Sequence, residues 1–233
     1  MSKFSSQEPV QFPLQLTLSE DTSFDNYFFA NNAEAINSLK DPGQTLIFIW
    51  GTESVGKTHL LQALFNFYLE QDLSAYYLPF RQIDGLSVEM LENLEQQKLL
   101  CLDDIHLVAG KDEWEQAIFH LFNRFKETGN KLIFSANANA ENVPFFLPDL
   151  KSRLQWGLTY QLQALSDDDK IKVLKIRAEE KQWSLSDEVA AFLIRRVSRD
   201  MQQLIVLLDK LDYASLAQQR KLTIPFVKKY LDL

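Results

Sequence analysis

In the first two-thirds of the chain, apolar residues gather into short runs at Leu46–Trp50, Ala75–Phe80, Leu99–Leu102, Leu132–Ser135 and Leu158–Leu162. Short apolar runs bounded by polar residues read as strands buried on both faces. Between the third and fourth runs, Trp114, Ala117, Ile118, Leu121, Phe122 and Phe125 recur at the i, i+3, i+4, i+7 spacing of an amphipathic helix. Strands that alternate with helices predict an α/β domain built on a parallel five-stranded sheet with helices on both faces.

The pattern changes at Ala164-Leu165-Ser166. Ser166 is a natural helix N-cap, with Asp169 three positions later, and from there only helical periodicity remains. Helices are predicted over 167–182, 187–196 and 200–219, with a short one from Thr223 that tolerates Pro225 in its first turn. In the third, Leu204, Leu207, Leu208, Leu211 and Ala214 make one apolar stripe, which speaks for packing alone. Residues before Thr22 carry Pro9 and Pro13 and little helical pattern, so an extended tail is expected. The predicted organisation is a tail over 1–21, an α/β domain over 22–165 and a small all-helical domain over 166–233.

Composition narrows the class. With 46% apolar and 24% charged residues, the 233-residue chain is neither disordered nor fibrous. Its net charge of -8 is uneven: residues 1–165 carry 11 basic and 21 acidic side chains, and residues 166–233 carry 13 basic and 11 acidic. A protein that held DNA mainly through its phosphates would more often be basic. The single cysteine, Cys101, lies in an apolar run, as expected in a reducing cytoplasm. No apolar run approaches the roughly 18 residues of a membrane-spanning helix, and Met1–Val10 lacks the apolar stretch of a signal peptide.

Two motifs carry chemistry. Gly51-Thr52-Glu53-Ser54-Val55-Gly56-Lys57-Thr58 fits G-x-x-x-x-G-K-[ST] directly after a strand, and His59 opens the helical pattern that follows. Such a loop aims backbone N–H groups at a phosphate from the positive end of a helix. Lys57 would reach the β- and γ-phosphates, and the Thr58 hydroxyl would ligate Mg²⁺. The second motif, Leu99-Leu100-Cys101-Leu102-Asp103-Asp104, ends a buried strand in two acids. Beside a phosphate loop, Asp103 is expected on the metal side and Asp104 is placed to orient an attacking water.

With these motifs the chain resembles the AAA+ nucleotide-binding family, and within it the clade of the replication initiator DnaA. The likeness runs from about Thr22 to the C-terminus. Thr22-Ser23-Phe24-Asp25-Asn26-Tyr27-Phe28 is similar to the segment that opens the DnaA AAA+ domain, Asp103-Asp104-Ile105 to its Walker B acids, and Leu150-Lys151-Ser152-Arg153-Leu154-Gln155-Trp156-Gly157-Leu158 to the segment carrying its arginine finger. The resemblance implies that Arg153 is projected at the nucleotide of a neighbouring subunit, where a permanently charged guanidinium stabilises the transferring phosphoryl group. It implies a sensor I position at Asn137, with Ser135 nearby, and a sensor II position at Gln202, where the family usually has arginine. A neutral amide there favours ADP as a structural ligand over independent turnover.

DnaA continues beyond this point into a helix-turn-helix domain, whereas these 233 residues end after the helical segment. The resemblance is therefore to the short regulators of this clade, which inhibit re-initiation by working with the DNA-loaded sliding clamp of DNA polymerase III, its β subunit, to make DnaA hydrolyse its ATP. Such proteins hold the clamp through a short peptide, and Gln11, Leu14 and Leu16 supply its glutamine and spaced leucines, with a second register at Gln15-Leu16-Thr17-Leu18. The implied partners are DnaA and the clamp, with DNA met indirectly, and a homodimer or higher oligomer is expected. Two other readings stay open: a stand-alone ATPase of helicase-loader type, supported by the complete phosphate loop, and a DNA-binding initiator fragment, which rests on fold analogy alone.

Overall fold

A computed structural model describes residues 22–24, 27–28, 30–82, 87–218 and 220–232, apart from the side chain of Gln202. Five strands, β1 (Leu46–Trp50), β2 (Ala75–Pro79), β3 (Leu99–Asp103), β4 (Lys131–Ala136) and β5 (Leu158–Gln161), form one parallel sheet in the order β2-β3-β4-β1-β5. The expected parallel five-stranded α/β fold is what forms. β1 lies between β4 and β5, so the chain leaves it toward one side of the sheet and later returns to the other. Open α/β sheets open a crevice at such a switch, beyond the carboxyl ends of the strands.

Alternate residues of the strands feed two cores. Ile47, Ile49, Cys101 and Ile133 pack with Ile36 and Leu39 of α1 (Ala33–Lys40) and with Leu60, Leu61 and Leu64 of α2 (Lys57–Leu69). Phe48, Leu100, Leu102, Leu132 and Phe134 face the other way, onto Ile118, Leu121, Phe122 and Phe125 of α3 (Asp112–Thr128) and Leu150 and Leu154 of α4 (Pro148–Leu154). Both faces of the inner strands are thus covered, which is why they read as apolar runs, whereas the edge strand β5 is mostly exposed and carries Thr159 and Gln161. Sequence periodicity anticipates α3 but neither α1 nor α4, whose eight and seven residues are too short for a clear repeat.

The remaining helices, α5 (Asp167–Glu180), α6 (Asp187–Arg196), α7 (Met201–Gln218) and α8 (Ile224–Tyr230), enclose a third cluster of their own, including Leu174, Leu193, Leu204, Leu208, Leu211 and Val227. Their starts are set by side chains. Ser166 Oγ accepts the Asp169 N–H at 3.1 Å, Ser186 Oγ the Val189 N–H at 3.4 Å and Thr223 Oγ1 the Phe226 N–H at 3.4 Å. Asp167, Asp168 and Asp169 add negative charge at the positive end of α5. Among the described residues, no helix is long and apolar enough to cross a membrane.

Candidate functional site

The loop between β1 and α2 turns through two residues with positive φ, Ser54 at 60° and Gly56 at 94°. A Cβ at Gly56 would come within 3.0 Å of the Tyr27 ring, so both the backbone conformation and the space call for glycine. Lys57 opens α2, and its side chain folds back to donate from Nζ to the carbonyls of Gly51 and Thr52, both at 2.9 Å. Burial pushes the Lys57 ammonium below its ordinary pKa, opposed by the charges of Asp104 and Asp103.

Asp103, the last residue of β3, is buried and accepts three hydroxyl donors. Thr58 Oγ1 donates to Oδ2 at 2.8 Å, the Tyr77 hydroxyl donates to Oδ2 at 2.7 Å, and Ser135 Oγ donates to Oδ1. Burial, followed by the neighbouring charge of Asp104, raises the Asp103 pKa despite these donors. The contact to Thr58 joins the two sequence motifs, which are 45 residues apart.

Asp104 is buried with φ at 59°, and its N–H donates to Ser135 Oγ at 2.8 Å. Its Oδ2 accepts Arg81 Nε at 2.5 Å, and this bond raises the Arg81 pKa. Asp104 Oδ1 is buried and, among the described residues, accepts no hydrogen bond, with His106 Nδ1 3.9 Å away. A carboxylate oxygen in that state is poised for a ligand or a water.

These groups open into a cleft of about 420 Å³ lined by the phosphate-loop residues from Glu53 to His59, by Arg81 and Asp104, and by Tyr27, Phe28 and Gln62. The helical domain closes its other side with Val173, Arg177, Met201, Ile205 and Val206. A further bridge joins the halves, since Ser54 Oγ donates to Asp200 Oδ2 just before α7. The His59 ring meets the Tyr27 ring edge-on at 5.3 Å and lies 3.4 Å from the Ser23 carbonyl, and burial lowers its pKa. Burial likewise pushes the Tyr27 hydroxyl up to about 12.

The predicted residues divide into groups. Glu53, Ser54, Val55, Gly56, Lys57, Thr58 and His59 line the cleft, whereas Gly51 and Thr52 contribute the carbonyls that hold Lys57. Asp104 lines the cleft too, and Asp103 lies behind it, reached through Thr58. Asn137 is exposed outside the cleft, its N–H donating to His106 Nδ1 at 3.3 Å, and Ser135 is the residue of that strand end that touches the acids. Arg153, near the end of α4, is not among the residues lining the cleft and lies over Trp156. Gln202 lies on α7 with its side chain outside the described residues, as do Gln11, Leu14 and Leu16 entirely.

Sequence reasoning missed Arg81 and Tyr77. Strand register places both: Tyr77 pairs with Cys101 and Pro79 with Asp103, so the chain leaving β2 passes beside Asp104. Among the described residues, no group of three or more His, Cys, Asp or Glu side chains is arranged to hold a metal ion. One hydroxyl and one buried carboxylate, Thr58 and Asp103, suit an Mg²⁺ that completes its shell with phosphate oxygens and water. The unpartnered Asp104 Oδ1, the loop geometry and this donor pair all fit a magnesium nucleotide.

Comparison with known proteins bears on the whole chain. Residues 22–161 match the family model of the bacterial DnaA ATPase domain, and residues 167–231 match that of the "Hda, lid domain". An uncharacterized protein of Haemophilus influenzae is 48% identical over 228 residues, covering 96% of this chain and 99% of its own. Domain III of the replication initiation protein DnaA from Thermotoga maritima superposes with a TM-score of 0.80 at 22% identity, over 92% of this chain and 97% of that one. AMPPCP-bound DnaA from Aquifex aeolicus superposes with a TM-score of 0.71 at 22% identity, over 87% of this chain and 69% of that one. By the match over most of its α/β part and the lid match behind it, this chain belongs to the DnaA-related AAA+ family and carries an Hda-type lid.

Proposed function

We propose that this chain is a regulator of replication initiation that makes a DnaA subunit hydrolyse its bound ATP by presenting Arg153 to that nucleotide. The observation that carries the reading is the position of Arg153. It lies outside the chain's own cleft, and among the described residues no carboxylate pairs with it. A half-exposed cation left unneutralised is suited to an anion on a facing subunit. There, water attacks the γ-phosphorus of DnaA's ATP, and the guanidinium stabilises the charge spread over the transferring oxygens.

The chain's own cleft serves a structural purpose in this reading. A bound ADP with Mg²⁺ would supply the phosphate charge for which the site is built. Lys57 and the amino end of α2 neutralise phosphate, Thr58 and Asp103 hold the metal, and Tyr27, Phe28 and the lid residues enclose the rest. Binding across the cleft fastens the lid to the α/β part and sets the surface that meets DnaA. Gln11, Leu14 and Leu16 attach the chain to the DNA-loaded sliding clamp, so DNA is met indirectly. Head-to-tail packing with DnaA leaves a homodimer as a resting form.

The test mixes the protein with ATP-loaded DnaA and follows hydrolysis with and without DNA-loaded clamp. Stimulation that requires the clamp, and that Arg153→Ala abolishes while clamp binding persists, is the expected result. Unchanged stimulation by Arg153→Ala overturns the assigned role.

A second reading, a stand-alone ATPase of helicase-loader type, has one observation in its favour: Asp104 Oδ1 is buried at the cleft and unpartnered, as a water-orienting acid would be. Steady turnover by the isolated protein, lost in Lys57→Ala, would establish it. Tight ADP binding with negligible turnover supports the regulator.

A further inference from the structure

The sequence after α4 turns sharply through Gln155, Trp156 and Gly157. The Trp156 N–H donates to the Arg153 carbonyl at 3.0 Å and the Gln155 N–H to the Ser152 carbonyl at 3.3 Å. A Cβ on Gly157 would lie 2.2 Å from the Leu46 carbonyl oxygen, so this turn is pressed against the start of β1 with room for glycine alone. The backbone therefore fixes where the Trp156 ring begins. That ring is 52% exposed, far more than an aromatic used for core packing.

Two cations lie over it. The Arg153 guanidinium carbon is 4.0 Å from the ring centroid and Lys126 Nζ is 4.1 Å away, and the guanidinium is also 5.9 Å from the Phe119 ring. The electron-rich indole is the group that attracts both cations. We propose that Trp156 is a positioning residue for Arg153: its ring holds the guanidinium in one orientation before a partner's nucleotide arrives. This rests on the trans role of Arg153 argued above.

A free arginine has many rotamers, and ordering them on docking weakens the contact made in the transition state. Stacked on Trp156, the side chain arrives already ordered. Lys126 contributes a second positive charge at the same place, so the corner formed by Phe119, Lys126, Arg153 and Trp156 fits an anionic, polyphosphate-bearing partner.

The experiment uses the full-length protein with DNA-loaded clamp and ATP-loaded DnaA, and compares Trp156→Ala, Trp156→Phe and Arg153→Ala. Trp156→Ala should lower the maximal stimulated hydrolysis rate roughly five- to thirty-fold, the range of a lost cation–π contact. The protein concentration giving half-maximal stimulation should stay nearly constant, and Trp156→Phe should recover most of the rate. Full stimulation by Trp156→Ala, with Arg153→Ala inactive, overturns the proposal and spares the trans reading. Full stimulation by Arg153→Ala overturns both. A loss in Trp156→Ala that appears only as a higher half-maximal concentration makes Trp156 a docking contact and also overturns the proposal.

A second measurement needs no partner and holds even where Trp156→Ala folds poorly. The chain has 4 tryptophans, and the emission attributable to Trp156 is the part lost in Trp156→Phe. In Arg153→Ala that part should become more accessible to acrylamide quenching, because no side chain from that position then covers the ring. Unchanged quenching would show that Arg153 does not cover the ring, and overturns the proposal.

Discussion

The nucleotide cleft and the Arg153 corner both depend on a cation, but they are built in opposite ways. In the cleft, Lys57 and Asp103 are buried, and each polar atom named on them is answered from within the chain, Lys57 by two carbonyls and Asp103 by three hydroxyls. At the corner, Arg153 and Lys126 lie over a half-exposed indole, and among the described residues no carboxylate forms an ion pair with either. A buried charge must be balanced where it stands, because desolvation is costly, whereas a surface cation can be left for a partner to balance. The difference teaches that the first site is made to keep its ligand and the second to meet one.

The largest test of that contrast removes the buried cation. Lys57→Ala should weaken ADP binding about 100-fold or more, as expected for loss of a charge-assisted phosphate contact, while Arg153→Ala should leave ADP affinity within about two-fold. Titration calorimetry decides it, and a large ADP loss in Arg153→Ala would erase the distinction between the two regions. The next effect concerns the link between them. Glu115, fully buried on α3, accepts the N–H groups of Gly110 at 2.7 Å, Phe146 at 3.1 Å and Leu147 at 2.7 Å. It thereby ties the loop that follows the Walker B acids to the residues that lead into α4 and Arg153. In Glu115→Gln one oxygen becomes a donor and strands at least one N–H, at a cost of about 2 kcal/mol in urea denaturation. The stability loss should be accompanied by weaker stimulation of DnaA with ADP affinity preserved.

What the sequence makes legible follows the same division. Lys57, Thr58 and Asp103 are readable because a loop and a strand end carry them at fixed local spacing, and the inner strands are readable because burial on both faces leaves few polar positions, whereas the edge strand β5 is largely exposed. Tyr77, Arg81 and Ser135 reach the same acids from 26, 23 and 32 residues away, through strand register. No local pattern records such contacts. The Arg153 corner is intermediate: Arg153 and Trp156 lie in the segment recognised by resemblance, but the stacking of Lys126 on Trp156 joins α3 to a turn 30 residues on and appears only in three dimensions. The expected sensor position at Asn137 lies two residues beyond Ser135: Ser135 donates to Asp103, and the Asn137 N–H donates to His106.

A smaller effect sharpens the account of the buried acid. Burial raises the Asp103 pKa, so between the unfolded and folded values the native state binds the extra proton, and at neutral pH the ionised carboxylate opposes folding. Asp103→Asn removes that burden and keeps the neighbouring hydroxyls as hydrogen-bond partners. Without ligand it should be as stable as the parent or more stable by about 1 kcal/mol. The same variant should lose the ability of Mg²⁺ to tighten ADP binding. A variant much less stable than the parent would make Asp103 a structural acid and not a ligand-holding one.

The smallest effect is a slope with pH. His59 sits between the phosphate loop and Tyr27, and burial lowers its pKa, with the Arg177 charge acting in the same direction and the Ser23 carbonyl against it. A histidine whose folded pKa lies below its unfolded value binds more protons when unfolded. It contributes full stability above the unfolded value near 6.5, and that contribution is lost as pH falls through the folded one. Asp103 has the opposite sign, so the test is a difference between proteins and not a single curve. Relative to the parent, His59→Asn should show a shallower loss of Tm between pH 7.5 and 5.5, by a few degrees at most. Because the imidazole lines the cleft, the phosphate charge of ADP should oppose the downward shift that burial imposes, flatten the parent's dependence and leave the variant's nearly unchanged. Parallel curves with and without ADP would place the titrating group away from the nucleotide, and the cleft would then lack the pH sensitivity that its burial implies.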